Sequence, residues 1–249
     1  MTNNPFNLHV IHPTWQSCFP QALSQIDPHY FTALQTSSDW LPGPQKIFRA
    51  FSLPLNRVNY ILLGESPYPR AESANGYAFW DASIHELWSS TGLNKSVNRA
   101  TSFRHILKML LIAEDVLNQR QPNQENIAKI NKQSFVQTNQ ELFNNFLQQG
   151  FLLLNATLVL SFGSKTKDAK AWQPFLQSLL TCIVKERPHV KFILFGQIAN
   201  DINIPIPVEK IHAEHPYNHS FVTNNTVRAF FKPLHLLKTR IPFKLRASY

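Results

Sequence analysis

The sequence VNYILLGESPYPRAESANGYAFWD, at positions 58–81, decides the fold. Its first six residues are mostly apolar, β-prone and uncharged, which is typical of a strand buried on both faces in a parallel sheet. Gly64 and Pro67 end that strand. The loop that follows has a carboxylate, a hydroxyl, a phenol and a guanidinium, and open α/β sheets bind their ligands in such loops. An ordinary turn with a capping acid is the alternative interpretation.

The composition is that of a large, basic, globular chain. It has 249 residues, of which 43% are hydrophobic, enough for a sizeable core in one large α/β domain or two small ones. Lysine and arginine number 24 against 15 acidic residues, which gives a net charge of +9. This balance favours a polyanionic partner, either nucleic acid or an acidic membrane surface, although it also serves solubility alone.

The cysteines and the apolar stretches bear on the compartment. Cys18 and Cys182 lack the spacing of a zinc or iron–sulfur site and do not indicate a disulfide framework, which favours a reducing compartment. The N-terminus has no basic region followed by an apolar run, so no secretory signal is expected. The longest apolar stretch, 151–160, is too short to span a bilayer. We therefore expect a protein of the cytoplasm, associated with the nucleoid, or of the nucleus, with no membrane partner.

Strand patterns alternate with helix patterns along the chain. The predicted strands lie at 58–63, 151–154, 190–195 and, more weakly, around Ile211. The predicted helices start at Ser102 and at the Thr138–Glu141 capping box, and cover 172–183 and 230–237. This alternation predicts a three-layer α/β/α fold with a central four-stranded, mainly parallel sheet.

We expect a single domain over residues 1–249. Residues 1–45 are predicted to be a helical N-terminal extension of that domain, and residues 118–137 a polar surface connection. Polar side chains follow each predicted strand: Glu65, Asn155, Gln197 and His215. Because the carboxyl ends of parallel strands lie at one edge of a sheet, we expect these side chains to converge there.

Four segments resemble, in the right order, motifs of the uracil-DNA glycosylase superfamily, most closely those of its family-1 enzymes. The resemblance covers residues 47 to 237. The segments are 64–68, similar to the water-activating loop G-Q-D-P-Y-H; 76–79, similar to the base-stacking segment; 152–156, similar to the uracil-reading strand end; and 196–197 with 215–216, similar to the phosphate-contacting turn and the catalytic histidine loop. Each is weak alone, but their order is specific.

The resemblance implies a DNA repair glycosylase. Such an enzyme hydrolyses the N-glycosidic bond of uracil, or of a related damaged base, after flipping the nucleotide out of DNA, without metal or cofactor. Phe79 would stack on the base, and Asn155 would pair with uracil N3–H and O4. Tyr68 would exclude the methyl group of thymine. His215 would donate a hydrogen bond to O2 as negative charge develops there.

Each of these residues also has a structural interpretation. Phe79 and Tyr68 are typical of core aromatics, Asn155 of a strand-end cap, and His215 is one of 10 histidines. The order of the motifs, rather than any single residue, favours the glycosylase interpretation.

Contacts to DNA are implied on several loops. The resemblance places them at Ser102 and Gln197, and on the histidine loop, where Tyr217, His219 or Phe221 would wedge into the duplex. The candidates for phosphate contacts from other loops are Arg70, Lys165 and Lys167, with solvated surface charge as the alternative. The expected partner is DNA, bound by a monomer, with a replication or repair protein as a further partner.

The chain departs from the family-1 pattern at catalytic positions. Ser66 stands where that family has its catalytic Asp, and Glu65 where it has Gln. Superfamily branches with a G-E-A-P-G or G-E-G-P-G loop also have Glu and lack the Asp, so the expected catalytic set is His215, Glu65 and Ser66. His219 stands where family-1 enzymes have the leucine that wedges into the duplex. The alternative function is therefore a weakened or inactive protein of this fold that binds DNA or a protein partner.

Overall fold

A computed structural model describes residues 5–162, 165–198, 202 and 208–239. The strands are β1 Trp40–Leu41, β2 Tyr60–Gly64, β3 Trp88–Ser89, β4 Gly92–Leu93, β5 Phe151–Asn155, β6 Leu160–Ser161, β7 Lys191–Phe195 and β8 Lys210–Ala213. The α-helices are α1 Phe19–Leu23, α2 Pro28–Thr36, α3 Lys95–Arg99, α4 Thr101–Ala113, α5 Gln124–Ala128, α6 Asn139–Gln148, α7 Lys165–Glu186 and α8 Asn225–Phe231. Short 3₁₀ helices cover Leu8–Val10, Pro13–Ser17, Arg49–Ser52, Leu55–Arg57, His219–Thr223 and Lys232–Leu234.

The central sheet has the strand order β5-β2-β7-β8. Strand β2 pairs in parallel with β5 and with β7, and Gly64 lies opposite Asn155 at the end of the first pair. Strand β8 runs in the same direction, since Phe192 N donates to Glu209 O and Gly196 N to Ala213 O, both at 2.9 Å. This confirms the predicted α/β class with a four-stranded parallel sheet.

The central strands are mostly apolar, as expected for buried strands. All five residues of β5 are buried, as are the last four of β2 and of β7. Strands covered on both faces have no solvent side on which polar residues would alternate. The uniform apolar runs of the sequence therefore mark the strands with errors of one or two residues at their ends.

The chain divides into two compact units. The first contains residues 1–83, 150–194 and 198–211. Its core is rich in aromatic rings that meet edge to face: Phe19 with Phe51 at 4.9 Å, Trp15 with Phe51 at 5.1 Å and Trp172 with Phe175 at 5.1 Å. The indole of Trp15 also donates to Leu53 O at 2.8 Å. The described part of the predicted N-terminal extension, from residue 5 onward, therefore contributes to the core of this unit.

The two cysteines of this unit are bonded to each other, which corrects the sequence-based interpretation. Cys18 and Cys182 form a disulfide between residues 164 positions apart, with their Cα atoms 5.5 Å from each other. Helix α1 starts immediately after Cys18 and packs on α7, which contains Cys182. This packing brings the thiols together, and no spacing rule in the sequence reveals it. The cysteines therefore give no argument for a reducing compartment.

The second unit contains residues 84–149, 195–197 and 212–249. The predicted capping box is present at the start of α6: the Thr138 side chain accepts from Glu141 N, and the Glu141 carboxylate accepts from Thr138 N. The predicted polar connection contains α5, and Gln124 of that helix accepts from Leu93 N at 2.7 Å. The last helix begins at Asn225 rather than near 230, because the Asn224 side chain caps it by accepting from Val227 N.

None of the helices in the described ranges is both long and apolar enough to cross a membrane.

Candidate functional site

The first unit presents an amide at the end of two paired strands. Asn155 ends β5 opposite Gly64, the last residue of β2, and is 5% exposed. A Cβ atom at position 64 would lie 2.6 Å from Asn155 Oδ1 and 3.0 Å from the Cβ of Ala78. Only glycine therefore lets the amide lie across the end of β2. Within the described residues, no hydrogen bond engages the Asn155 amide.

Backbone hydrogen bonds hold three segments together around this amide. Ala156 N donates to Gly64 O at 2.8 Å, and Thr157 N donates to Glu65 O at 3.0 Å. Ala78 N donates to Leu153 O at 3.1 Å. The structure thus brings the loop after β2, the end of β5 and the segment before Phe79 to one place, where Glu65 and Asn155 were expected to converge.

Phe79 has a backbone conformation that aromatic residues rarely adopt. Its φ of 63° lies in the left-handed region, which costs a non-glycine residue about 1–2 kcal/mol. The Tyr68 hydroxyl donates to Phe79 O at 3.2 Å and stabilises this conformation. Burial of the phenol, helped by the negative charge of Asp81, raises the pKa of Tyr68, so it stays protonated and can donate. Backbone strain of this kind is concentrated at functional sites.

A buried carboxylate that the sequence reasoning missed anchors the loop. Asp81 is 3% exposed and accepts from Ser83 N at 2.9 Å and from Ser83 Oγ at 2.6 Å. It also pairs with Arg70 at 3.2 Å, and Arg70 lies 3.9 Å from Glu72. Arg70, a candidate phosphate contact in the sequence, is therefore an ion-pair partner within its own loop.

The loop after β2 contributes Glu65 to an ion pair with Lys165. Glu65 Oε1 lies 2.7 Å from Lys165 Nζ, and both side chains are largely exposed. Exposed pairs of this kind contribute little to stability because solvent screens them, but the ammonium places a positive charge beside the Glu65 carboxylate. Ser66, the next residue, is half-buried.

The second unit positions His215. Its Nδ1 accepts from Tyr217 N at 3.1 Å, so the proton of the neutral ring is on Nε2. Gly196, with φ of 75°, packs against this histidine, and a Cβ there would lie 2.9 Å from the Cβ of His215. The turn at 196–197 and the histidine loop are therefore adjacent, with Gln197 exposed.

His105, which the sequence analysis did not select, is hydrogen-bonded to the loop that carries His215. It is 5% exposed on α4, and its Nδ1 donates to Pro216 O at 2.8 Å. Burial lowers the pKa of His105, which keeps the ring neutral. Its ring also meets the ring of His219 edge to face at 5.8 Å. The helix periodicity hid His105, because one polar residue on an apolar face gives no signal in the sequence.

The DNA contacts predicted at Ser102, Tyr217 and His219 lie on the second unit. Tyr217 is 67% exposed, His219 is exposed, and Ser102 is half-buried in the first turn of α4. In the described ranges, no cluster of three or more His, Cys, Asp or Glu side chains could hold a metal ion.

Fold and site together define an α/β protein that presents an amide at its strand ends and a loop-borne histidine with its proton on Nε2. Wild-type UNG from Nitratifractor salsuginis has a crystal structure with a TM-score of 0.88 to this one, is 35% identical, and the match covers 94% of this chain and 96% of that one. The chain belongs to the uracil-DNA glycosylase superfamily.

More distant relatives agree with this assignment. A uracil-DNA glycosylase from Azobacteroides pseudotrichonymphae genomovar. CFP2 is 28% identical over 180 residues, which is 70% of this chain and 68% of the relative. One from Amoebophilus asiaticus (strain 5a2) is 25% identical over 218 residues, 83% of this chain and 84% of the relative. Mimivirus uracil-DNA glycosylase, 17% identical with a TM-score of 0.53, shares the fold. No protein-family model matches the chain.

The buried His105 predicts a pH-dependent stability. Its pKa is lowered in the folded state, whereas a histidine of the unfolded chain takes up a proton near pH 6.5. Proton uptake at lower pH therefore favours the unfolded chain. The free energy of unfolding should therefore fall as the pH drops from 7 toward 5. Urea unfolding across this range should show a shallower fall for His105→Gln. Substitution of the exposed His189 by Gln is the matched control, and equal pH profiles for wild type and His105→Gln would contradict the prediction.

Proposed function

We propose that the protein is a DNA repair glycosylase, of the family-1 type, that hydrolyses the N-glycosidic bond of uracil in DNA. The observation that carries the proposal is the Asn155 amide, buried at the strand ends and held by the glycine at position 64. The similarity to uracil-DNA glycosylases over most of the chain supports the same reaction.

Asn155 supplies base selection. Its Nδ2–H group donates to uracil O4, and its Oδ1 accepts from N3–H. Cytosine has a donor and an acceptor in the opposite places, so both contacts with Asn155 would be repulsive. Buried polar groups left without partners cost about 1–3 kcal/mol each, which makes a single amide an effective filter. The backbone bonds around Asn155 fix the orientation of the strand end that this filter needs.

Tyr68 and Phe79 complete the base pocket in this proposal. Phe79 stacks on the extruded pyrimidine, and the tyrosine occupies the space that the C5-methyl group of thymine would need. The hydrogen bond from Tyr68 to Phe79 O ties the tyrosine side chain to the backbone that carries the Phe79 ring. The strained φ of Phe79 is consistent with a ring held for a ligand rather than for packing.

His215 stabilises the leaving group. When the glycosidic bond breaks, negative charge accumulates on the uracil, and a neutral imidazole with its proton on Nε2 donates a hydrogen bond to O2. The hydrogen bond from Tyr217 N selects that tautomer. His105 is a positioning residue that holds this loop through Pro216 O. Ser102, Gln197, Tyr217 and His219 contact the DNA backbone and the neighbouring bases.

The stabilisation of the sugar cation is the weak part of this catalytic set. The transition state is oxocarbenium-like, and a carboxylate next to the sugar would stabilise it. Ser66 has no charge, and the charge of Glu65 is partly compensated by Lys165. Ser66 orients the attacking water, and Glu65 supplies the remaining negative potential. The same feature favours the second candidate function, a DNA-binding protein of this fold with little or no catalysis.

In the cell, the protein acts on DNA as a monomer, in the cytoplasm at the nucleoid or in the nucleus, with a replication or repair protein as a further partner. The net charge of +9 suits the polyanionic substrate.

Two substitutions test the proposed function. Asn155→Ala removes base recognition and His215→Ala removes the donor to O2, so each should slow uracil release from a single-stranded oligonucleotide about a hundredfold or more. Single-turnover release of free uracil is the measurement. Asn56→Ala, an exposed asparagine of the same unit, is the control and should match wild type. Equal rates for all four proteins would exclude the assigned site, and no release by wild type would favour the DNA-binding alternative.

A reversion tests the missing charge. Ser66→Asp restores a carboxylate beside the sugar and should raise the rate of the chemical step about tenfold or more, because electrostatic stabilisation of the transition state contributes on this scale. Ser66→Asn, which has the same shape without the charge, should give no increase. The two variants are compared in the same single-turnover assay, and an equal effect of Asp and Asn would show that charge at this position is irrelevant.

A further inference from the structure

We infer that an exposed groove of the first unit, here called the Phe162 groove, binds an unstacked base of single-stranded DNA beside the extruded nucleotide. The groove is lined by Pro69, Leu160, Phe162, Lys165, Thr166 and Lys167. The inference rests on the proposed function, and it adds to that function a binding site for a base next to the uracil.

Phe162 is an aromatic ring presented to solvent. It is 69% exposed, whereas the phenylalanines of this unit's core, such as Phe48, Phe51 and Phe175, are fully buried. Contact of an exposed ring with water is unfavourable, and a ligand with a flat apolar face would bury this surface. Nucleobases have the flat apolar face that stacks on such a ring.

The backbone that carries Phe162 is anchored. The preceding residue, Ser161, ends β6 and pairs with Trp40 of β1. Its N and Oγ donate to the carboxylate of Asp168 at 2.6 and 3.1 Å, and Tyr30 also donates to that carboxylate at 2.8 Å. Asp168 is 1% exposed. The exposed ring therefore follows a fixed strand end tied to a buried carboxylate, and a base that stacks there encounters a preorganised surface.

The charges of the groove fit a nucleotide. Lys165 and Lys167 supply ammonium groups next to the apolar surface of Leu160 and Phe162, a combination suited to a phosphate and its base. Lys165 is shared with Glu65 of the catalytic loop, and Pro69 of the same loop lines the groove. A strand whose uracil occupies the proposed pocket of this unit thus continues into the groove.

An unpaired strand fits this surface better than a duplex. Bases within a duplex stack on each other, so their faces are not available to a protein ring. Phe162 can be used only when the neighbouring base is already unstacked.

The first experiment measures binding, independently of catalysis. Fluorescence anisotropy with a labelled, uracil-free single-stranded oligonucleotide gives the Kd of wild type and variants. Phe162→Ala should raise the Kd about tenfold, and Phe162→Trp should restore it, because stacking on an aromatic ring contributes on this scale per base. Lys167→Gln should raise the Kd and make its salt dependence less steep. The matched controls are Leu8→Ala, another exposed apolar residue, and Lys170→Gln, another exposed lysine on α7.

The second experiment separates this inference from the proposed function. In uracil release, Phe162→Ala should raise KM and leave kcat unchanged, with a larger effect on single-stranded than on duplex substrate. If wild type binds DNA in this pattern but releases no uracil, the proposed function is wrong and the groove stands. If Phe162→Ala binds single strands like wild type, or weakens duplex binding equally, the inference is overturned. If Phe162→Ala lost binding to vesicles of anionic phospholipid while its DNA binding stayed intact, the inference would also be overturned.

Discussion

The close approach of the Asn155 amide to the backbone of Gly64 is the contact on which the site depends. A Cβ at position 64 would lie 2.6 Å from Asn155 Oδ1, far inside van der Waals contact. The parallel register of β2 and β5 sets this approach, because it places the two residues opposite each other at the strand ends. Sheet packing therefore fixes the position of the side chain that we propose recognises the base, and no flexible loop is needed to present it.

Two acidic residues of the same unit, Asp81 and Glu65, lie in different environments. Asp81 is buried, hydrogen-bonded to Ser83 and paired with Arg70, so it holds the loop. Glu65 is exposed and paired with Lys165. In the proposed mechanism, Ser66 leaves no carboxylate that serves the sugar alone, so catalysis would depend more heavily on base recognition and on the leaving-group hydrogen bond. The inferred Phe162 groove would add substrate binding to these two contributions.

The sequence predicts the parts that local patterns encode. Uniform apolar runs mark the buried strands, and Thr138 with Glu141 marks a helix start that is present in the structure. Features made by tertiary packing left no local pattern: the disulfide joins residues 164 positions apart, and His105 meets Pro216 across 111 positions. Phe162 was equally hidden, since an exposed phenylalanine reads like a core residue until its surroundings are known. The order of the four motifs identifies the family from the sequence, whereas the ion-pair partners of Arg70 and Lys165 are visible only in the structure.

The central claim is that one amide at a strand end selects the base, and base selectivity tests it most directly. Single-turnover release of free base should be measured from oligonucleotides that differ only in one uracil or cytosine, with wild type and Asn155→Asp. The account predicts uracil release alone by wild type, and a cytosine-to-uracil ratio raised about tenfold in Asn155→Asp, because a carboxyl group can accept from cytosine N4–H and share a proton with N3. Release of both bases by wild type, or an unchanged uracil preference in Asn155→Asp, would contradict it.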